Sequence, residues 1–154
     1  MKRLLCFIML FLNILGVMAK SDKMPQYEIT GEGSGTEGML LVKVYVYGKK
    51  VTDADLKRAA IHGVVFRSFS GNESGARHPA MAEPKAETIH ADFCNTFFAV
   101  DGQCQNYASI IDGTYDRVKI SKGYKYGAVL QIQKTALRKE LEKAGVVRSL
   151  SSGF

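Results

Sequence analysis

The chain has no tryptophan and only three cysteines and three prolines among its 154 residues. So few cysteines exclude a cysteine-dense disulfide scaffold and a four-cysteine zinc module. Phosphate-binding loops, metalloprotease motifs and calcium loops are also missing, and the three histidines are scattered, so no cofactor or metal site is predicted. The composition, 46% hydrophobic and 23% charged, is typical of one compact domain.

The amino terminus has the pattern of a secretory signal peptide. Lys2 and Arg3 precede an apolar stretch over 4–17, and the chain becomes polar after Ala19. The stretch is shorter than the roughly 20 residues that span a bilayer, which favours cleavage after Ala19 over an uncleaved anchor. The expected segments are a signal peptide over 1–19, a polar leader over 20–25, a single domain over 26–148 and a tail over 149–154.

Export has consequences for the partner. Loss of Lys2 and Arg3 with the signal peptide lowers the net charge from +6 to +4, and no run of basic residues concentrates what remains. Such a small excess of positive charge is typical of a solvated surface and does not favour nucleic-acid binding. We expect the protein to be periplasmic or extracellular, and a peripheral position at the outer membrane is compatible with this expectation. Its mature chain has no transmembrane segment, and its predicted partner is an envelope protein or a glycan.

Export also leaves two cysteines, Cys94 and Cys104, in a compartment where disulfides form. An even pair of this kind predicts a disulfide that closes a short loop. The alternative is that Cys94 is a catalytic nucleophile beside His90, which lies four residues earlier on the same face of a predicted helix. No orienting carboxylate or oxyanion loop is recognisable, and the enzyme hypothesis depends on Cys94, His90 and Asp92.

The clearest secondary-structure pattern is a strand over 39–47. Leu40 and the three valines that follow at every second position form one face, and Lys43, Tyr45 and Tyr47 alternate with them on the other. This period of two predicts a strand with one face in the core. The opposite face is either an exposed binding surface or a second buried surface covered by a helix.

A glycine-rich segment over 31–38 separates this strand from a short candidate strand over 27–30. Residues 33–38 match the pattern G-x-G-x-x-G. A dinucleotide-binding loop must open a helix, whose amino terminus receives the pyrophosphate, whereas this segment opens a strand. We interpret it as a hairpin turn.

The first predicted helix follows the long strand. Thr52 and Asp55 form a candidate capping box, and helical spacing of apolar residues continues to about Phe69. Arg58 is expected to point away from the apolar face or to extend along it. His62, alone on a mostly apolar helix, is interpreted as a packed structural residue.

Two more helices are predicted further along the chain. Ile89, Phe93 and Phe97 recur every four residues, which predicts an aromatic-rich core helix over 86–98. Thr135 is a candidate cap for the last helix.

Between the first and second helices, residues 70–85 are predicted to form a long surface loop. Glycine, proline and polar residues dominate this segment. Arg77 and His78 are its candidate contacts with an acidic ligand, because long loops are often functional.

Strands over 117–121 and 124–134 complete the pattern as a hairpin. Strands followed by a helix, twice in succession, predict an α+β fold. We expect a small antiparallel or mixed sheet with two to three helices packed on one face.

Three stretches carry a resemblance to a known family: residues 28–33, the helix over 56–65, and the strand and helix over 126–141. They resemble small envelope α/β domains of the TolB amino-terminal-like and outer-membrane lipoprotein type. The resemblance implies a non-catalytic role in assembly or interaction at the bacterial envelope, and it transfers no functional residue.

The sequence therefore predicts an exported, non-catalytic module for binding or assembly. Its candidate surface is Lys43, Tyr45 and Tyr47, together with Tyr124 and Tyr126, because exposed tyrosines combine apolar area with a polar tip. The alternative is a small secreted hydrolase-like enzyme that uses Cys94 and His90.

Overall fold

The computed structural model describes residues 23–72 and 75–149. The predicted signal peptide, the first residues of the leader and the end of the tail lie outside these ranges. Within them the chain has the predicted α+β fold, with a mostly antiparallel main sheet. The elements in chain order are β1 (Tyr27–Ser34), β2 (Leu40–Tyr47), α1 (Asp53–Phe66), β3 (Phe69–Ser70), β4 (Arg77–His78), α2 (Ala86–Ile89), α3 (Ala91–Phe97), a 3-10 helix (Gln103–Tyr107), β5 (Ala108–Ile110), β6 (Asp116–Ile120), β7 (Gly123–Ile132) and α4 (Lys134–Lys143).

The main sheet has five strands in the order β1-β2-β7-β5, and β6 also pairs with β7. β2 pairs with β7 from Leu40 opposite Ile132 to Tyr47 opposite Lys125. The other side of β7 is shared, because β5 pairs with its last residues and β6 with its first. The predicted hairpin of β6 and β7 is thereby confirmed.

The core lies between this sheet and the helices. The even-numbered residues of β2 are buried and the odd-numbered ones are half-buried, as the alternation predicted. The buried side of β2 packs against α1 together with Leu130 and Ile132 of β7, which are fully buried. The sheet therefore has one covered face and one face that no described helix covers.

Helix α1 begins with the predicted capping box. The Thr52 hydroxyl accepts a hydrogen bond from the Asp55 backbone N–H at 3.3 Å, and the Asp55 carboxylate accepts one from the Thr52 N–H at 3.0 Å. The helix ends at Phe66, earlier than predicted, because Phe69 already pairs with His78 in the small sheet of β3 and β4.

Arg58 is the clearest departure from the sequence expectation for α1. It does not point away from the core but is 1% exposed. Its Nε donates to the backbone carbonyl of Phe98 at 2.7 Å, and its Nη1 lies 3.7 Å from Asp55 Oδ1. Arg58 thus joins α1 to the residue that follows α3.

The predicted helix over 86–98 is two short helices. The break lies at His90, whose φ of −107° and ψ of 37° are not helical. The prediction that Ile89 faces the core is wrong, because the break turns it outward and leaves it 70% exposed. Phe97 is buried, and Phe93 stacks on it with ring centroids 5.0 Å apart.

Two further boundaries differ from the predictions. β1 continues through the glycine-rich segment to Ser34, with a bulge between Gly31 and Gly33, so the turn is shorter than predicted. Helix α4 begins at Lys134 after Gln133, and the Thr135 side chain does not cap it.

The segment over 70–85 is not entirely loop. Arg77 and His78 form β4, which pairs with β3. The two residues therefore belong to a separate two-stranded sheet.

Candidate functional site

The uncovered side of the main sheet carries three of the candidate binding residues that were predicted from the sequence. Lys43, Tyr45 and Tyr47 project from it because they occupy the odd positions of β2. All three are half-buried rather than covered, which rules out the alternative that a described helix packs over them. We call this surface, together with Glu28, Asp116 and Lys125, the tyrosine face.

Tyr45 lies across the neighbouring strand. Its partner on β7 is Gly127, and a Cβ at that position would stand 2.6 Å from the tyrosine ring. The absence of a side chain lets the ring cross β7, and its hydroxyl donates to Asp116 Oδ2 on β6 at 2.5 Å. One side chain thus connects three strands.

Tyr47 is held by a second carboxylate, Glu28 of β1. The Tyr47 hydroxyl donates to Glu28 Oε1, and Lys125 Nζ donates to Glu28 Oε2 at 2.6 Å. Lys125 Nζ also lies 4.5 Å from the centre of the Tyr45 ring. Charge-assisted hydrogen bonds and cation–π contacts of this kind fix side chains in one orientation.

The charges of the tyrosine face balance each other. Lys125 pairs with Glu28, and Lys43 Nζ lies 3.8 Å from Asp116 Oδ2. The hydrogen bond from Lys125 lowers the pKa of Glu28, and the hydrogen bond from Tyr45 lowers the pKa of Asp116. Both carboxylates therefore stay ionised at neutral pH, and the face presents fixed rings among paired charges.

The same contacts keep the tyrosines protonated. The hydrogen bond to Asp116 raises the pKa of Tyr45 to about 12, and the bond to Glu28 raises the pKa of Tyr47. Both hydroxyls therefore act as donors whose acceptors lie on other strands, Glu28 on the adjacent β1 and Asp116 on β6 beyond β7.

Arg77 and His78 do not join this surface. The His78 ring stacks on Phe69 with centroids 5.1 Å apart, and it lies so close to Gly31 that a Cβ there would be 3.1 Å from its Nε2. His78 is therefore a packing residue between the small sheet and β1. Arg77 is exposed beside it, apart from the tyrosine face.

Tyr124 and Tyr126 do not join the tyrosine face either. They flank Lys125 on β7, and because successive side chains of a strand point to opposite faces, both tyrosines lie on the other side of the sheet. They lie beside Arg117 of β6, whose Cζ is 3.7 Å from the centre of the Tyr124 ring. They form a second surface rather than an extension of the first.

The predicted disulfide between Cys94 and Cys104 is not formed in the structure. Both thiols are free and buried, one on α3 and the other in the 3-10 helix. Burial raises the pKa of Cys94, and it raises the pKa of Cys104 to about 11. Because the thiolate is the reactive form, neither residue is activated for disulfide exchange or for nucleophilic attack.

The same burial bears on the enzyme hypothesis. His90 stands at the break between α2 and α3, and its backbone carbonyl accepts a hydrogen bond from the Cys94 N–H at 2.9 Å. Asp92 lies in the first turn of α3 and is exposed. Among the described residues, no hydrogen bond joins the three side chains into a relay.

A hydrogen-bonded chain that the sequence did not reveal surrounds His62 instead. Its Nε2 lies 3.0 Å from Glu87 Oε1 and its Nδ1 lies 2.6 Å from the Tyr27 hydroxyl. A carboxylate only accepts, so Nε2 carries the proton and Nδ1 accepts from Tyr27. Burial lowers the pKa of His62 and raises that of Tyr27, so both stay neutral. Both ring nitrogens are occupied, which supports the predicted structural role.

Comparisons with protein-family models, with curated proteins and with solved structures find no match to this chain. The resemblance to envelope domains therefore stays a prediction. In the part of the chain that the structure describes, no helix is long and apolar enough to cross a bilayer. Over those same residues, no cluster of His, Cys, Asp and Glu has the size needed to hold a metal ion.

Proposed function

We propose that this chain is an exported, non-catalytic interaction module that binds an envelope protein through the tyrosine face. The observation that supports it is a pair of tyrosines, Tyr45 and Tyr47, fixed by carboxylates on the uncovered side of the sheet. Tyrosine is enriched at protein interfaces because it offers a large contact area with few rotatable bonds. Fixing the rings in advance lowers the entropy that binding would cost.

The charge pattern favours a protein over a glycan as the partner. The two tyrosine hydroxyls already donate to Glu28 and Asp116, which leaves few free polar groups to bind sugar hydroxyls. The lysine stems are mostly buried, with 18% of the Lys43 side chain and 19% of the Lys125 side chain exposed. A neutral surface of this kind, with fixed aromatic rings, fits a complementary protein surface.

Export rests on the amino-terminal pattern of the sequence and has its own test. Native cells that make the protein are fractionated, and its intact mass is measured in each fraction. A periplasmic or secreted species that begins at Lys20 is the expected result. A full-length species in the membrane fraction would contradict export and would point to an uncleaved anchor.

Site-specific photo-crosslinking in the same cells tests the tyrosine face. Thr30 is exposed beside Lys43 and is replaced by a benzophenone amino acid. The matched control carries the same amino acid at Lys139, which is exposed on α4. We expect one discrete protein adduct from position 30, absent from position 139 and lost when Tyr45→Ala is added.

The variant with Tyr45→Ala must be folded for this result to count. Far-UV circular dichroism and urea unfolding check it before the crosslinking is compared. Adducts of equal yield from both positions, or an adduct that survives Tyr45→Ala in a folded protein, would overturn the assignment of the surface.

A further inference from the structure

A second surface lies at the end of the sheet where β2 finishes and the β6–β7 hairpin turns. A cleft of about 730 Å³ opens there, between the residues that follow β2 and the hairpin. Its charged and aromatic lining comprises Tyr47, Lys49, Arg117, Lys122, Tyr124 and Tyr126.

The charge of this cleft is of one sign. Three cations line it, and no Asp or Glu does. Within residues 23–72 and 75–149, no ion pair involves Lys49, Arg117 or Lys122, whereas Lys43 and Lys125 of the tyrosine face are both paired. Clefts lined by one sign of charge concentrate ions of the opposite sign.

Arg117 is oriented rather than loose. Its Cζ lies 3.7 Å from the centre of the Tyr124 ring and 5.6 Å from that of Tyr126, and the two ring centres are 6.4 Å apart. The position follows from the hairpin register, because Arg117 pairs with Tyr126 across the strands. A guanidinium stacked on a ring keeps the N–H donors of its edge available for a planar, bidentate contact.

We propose that this cleft binds a phosphate monoester. Such a group carries a charge of about −1.5 to −2 and three acceptor oxygens at neutral pH, which matches three cations better than a single carboxylate does. The Arg117 fork would donate hydrogen bonds to two of the oxygens, and Lys49 and Lys122 would balance the remaining charge. The Tyr126 ring would contact the organic group that carries the phosphate.

This assignment is independent of the proposed function. The two surfaces share Tyr47 at their border, but the tyrosine face is electrically balanced whereas the cleft is not, and the phosphate is assigned to Arg117, Lys49 and Lys122. Tyr45→Ala is expected to leave phosphate binding unchanged. Failure of the crosslinking experiment would therefore not affect the cleft, and failure of phosphate binding would not affect the tyrosine face.

Phenyl phosphate is the first probe, titrated by calorimetry and by amide chemical shifts of the residues around Gly123. Benzoate, with the same ring and one carboxylate, is the matched control ligand. We expect saturable binding of phenyl phosphate, with chemical-shift changes confined to the cleft. Benzoate is expected to bind at least about tenfold more weakly, because it accepts fewer charge-assisted hydrogen bonds.

Variants then separate the fork from general charge. Arg117→Ala is expected to weaken binding about tenfold or more, and Arg117→Lys, which keeps the charge but loses the fork, several-fold. The control Lys139→Ala removes one charge from α4 and is expected to change the affinity less than about twofold. Lys122→Ala in the hairpin turn provides a second test should Arg117→Ala disturb folding.

Vesicles distinguish a lipid from a soluble source of the phosphate. Flotation with phosphatidic acid in phosphatidylcholine, against phosphatidylcholine alone, assigns a lipid headgroup if only the former binds the protein. Binding of phenyl phosphate without vesicle binding assigns a soluble phosphate ester. Absence of saturable binding to either probe, or an equal loss in Arg117→Ala and Lys139→Ala, would overturn the proposal.

Discussion

Replacement of Arg58 tests how the buried guanidinium holds the helices together. Arg58→Met removes the charge and keeps an unbranched apolar stem of similar length, whereas Arg58→Ala removes both. In either variant the Phe98 carbonyl loses a donor that lies 2.7 Å away. Lys57→Ala, one position earlier on the same helix, is the matched control.

The magnitude follows from what each variant leaves behind. A buried acceptor without its donor costs about 1–3 kcal/mol, which is the expected loss in Arg58→Met. Arg58→Ala adds the lost packing of the stem, at about 0.8 kcal/mol per buried methylene, so the total is about 3–5 kcal/mol. Asp55 retains its hydrogen bonds to Thr52 and does not become an isolated buried charge.

Urea unfolding followed by far-UV circular dichroism measures these differences. We expect the free energy of unfolding to decrease from wild type to Arg58→Met and again to Arg58→Ala. For Lys57→Ala it is expected to stay within about 0.5 kcal/mol of the wild-type value. Arg58→Met as stable as wild type would refute the reasoning. It would show that relief of guanidinium desolvation outweighs the lost hydrogen bond.

Three further predictions concern other parts of the molecule. Gly127→Ala is expected to displace the Tyr45 ring and to lower the free energy of unfolding by about 1–3 kcal/mol, measured by urea unfolding, because the new Cβ would stand 2.6 Å from the ring. Burial lowers the pKa of His62, so as the pH falls the unfolded chain takes up the proton before the folded protein does. The free energy of unfolding is therefore expected to decrease as the pH falls below about 6.5. Urea unfolding at pH 7.5 and at pH 5.5 should show this decrease in the wild type and a smaller one in His62→Gln. Cys94 and Cys104 are expected to resist iodoacetamide in the native protein and to react fully in urea, because burial raises the pKa of both; an intact mass that rises by two hydrogens on reduction would instead establish the disulfide.

The parts of the fold that were predictable from sequence are those fixed by local patterns. The alternation along β2 and the capping box of Thr52 and Asp55 each depend on residues within a few positions of one another. The hairpin of β6 and β7 is similarly local, since its strands are joined by a tight turn. Interactions over such short distances in the chain leave a periodic signal.

The break at His90 left no such signal. No glycine or proline marks it, and Ile89, Phe93 and Phe97 have the spacing of one continuous helix. The burial of Arg58 was hidden for a related reason. Its acceptor, the carbonyl of Phe98, is 40 residues away and becomes available only where α3 ends.

Only the β2 residues of the tyrosine face were predictable from the sequence, and their partners on other strands were not. Period two placed Lys43, Tyr45 and Tyr47 on one side of a strand, and the structure confirms that placement. Their carboxylate partners lie on other strands, Glu28 on β1 and Asp116 on β6, and depend on sheet order and register. The same dependence explains why the cationic cleft around Arg117 was not found.

The division of β7 between two partners limits the strand edge that is open to a second copy of the chain. A long exposed strand edge would accept a strand from another copy and seed aggregation. Here one border of the sheet is split into the short strands Ala108–Ile110 and Asp116–Ile120, with a turn between them. The other border is bent by the bulge at Gly31, whose carbonyl accepts a hydrogen bond from the Asn72 N–H. Neither border therefore offers a long, straight edge with which a strand of another copy could pair.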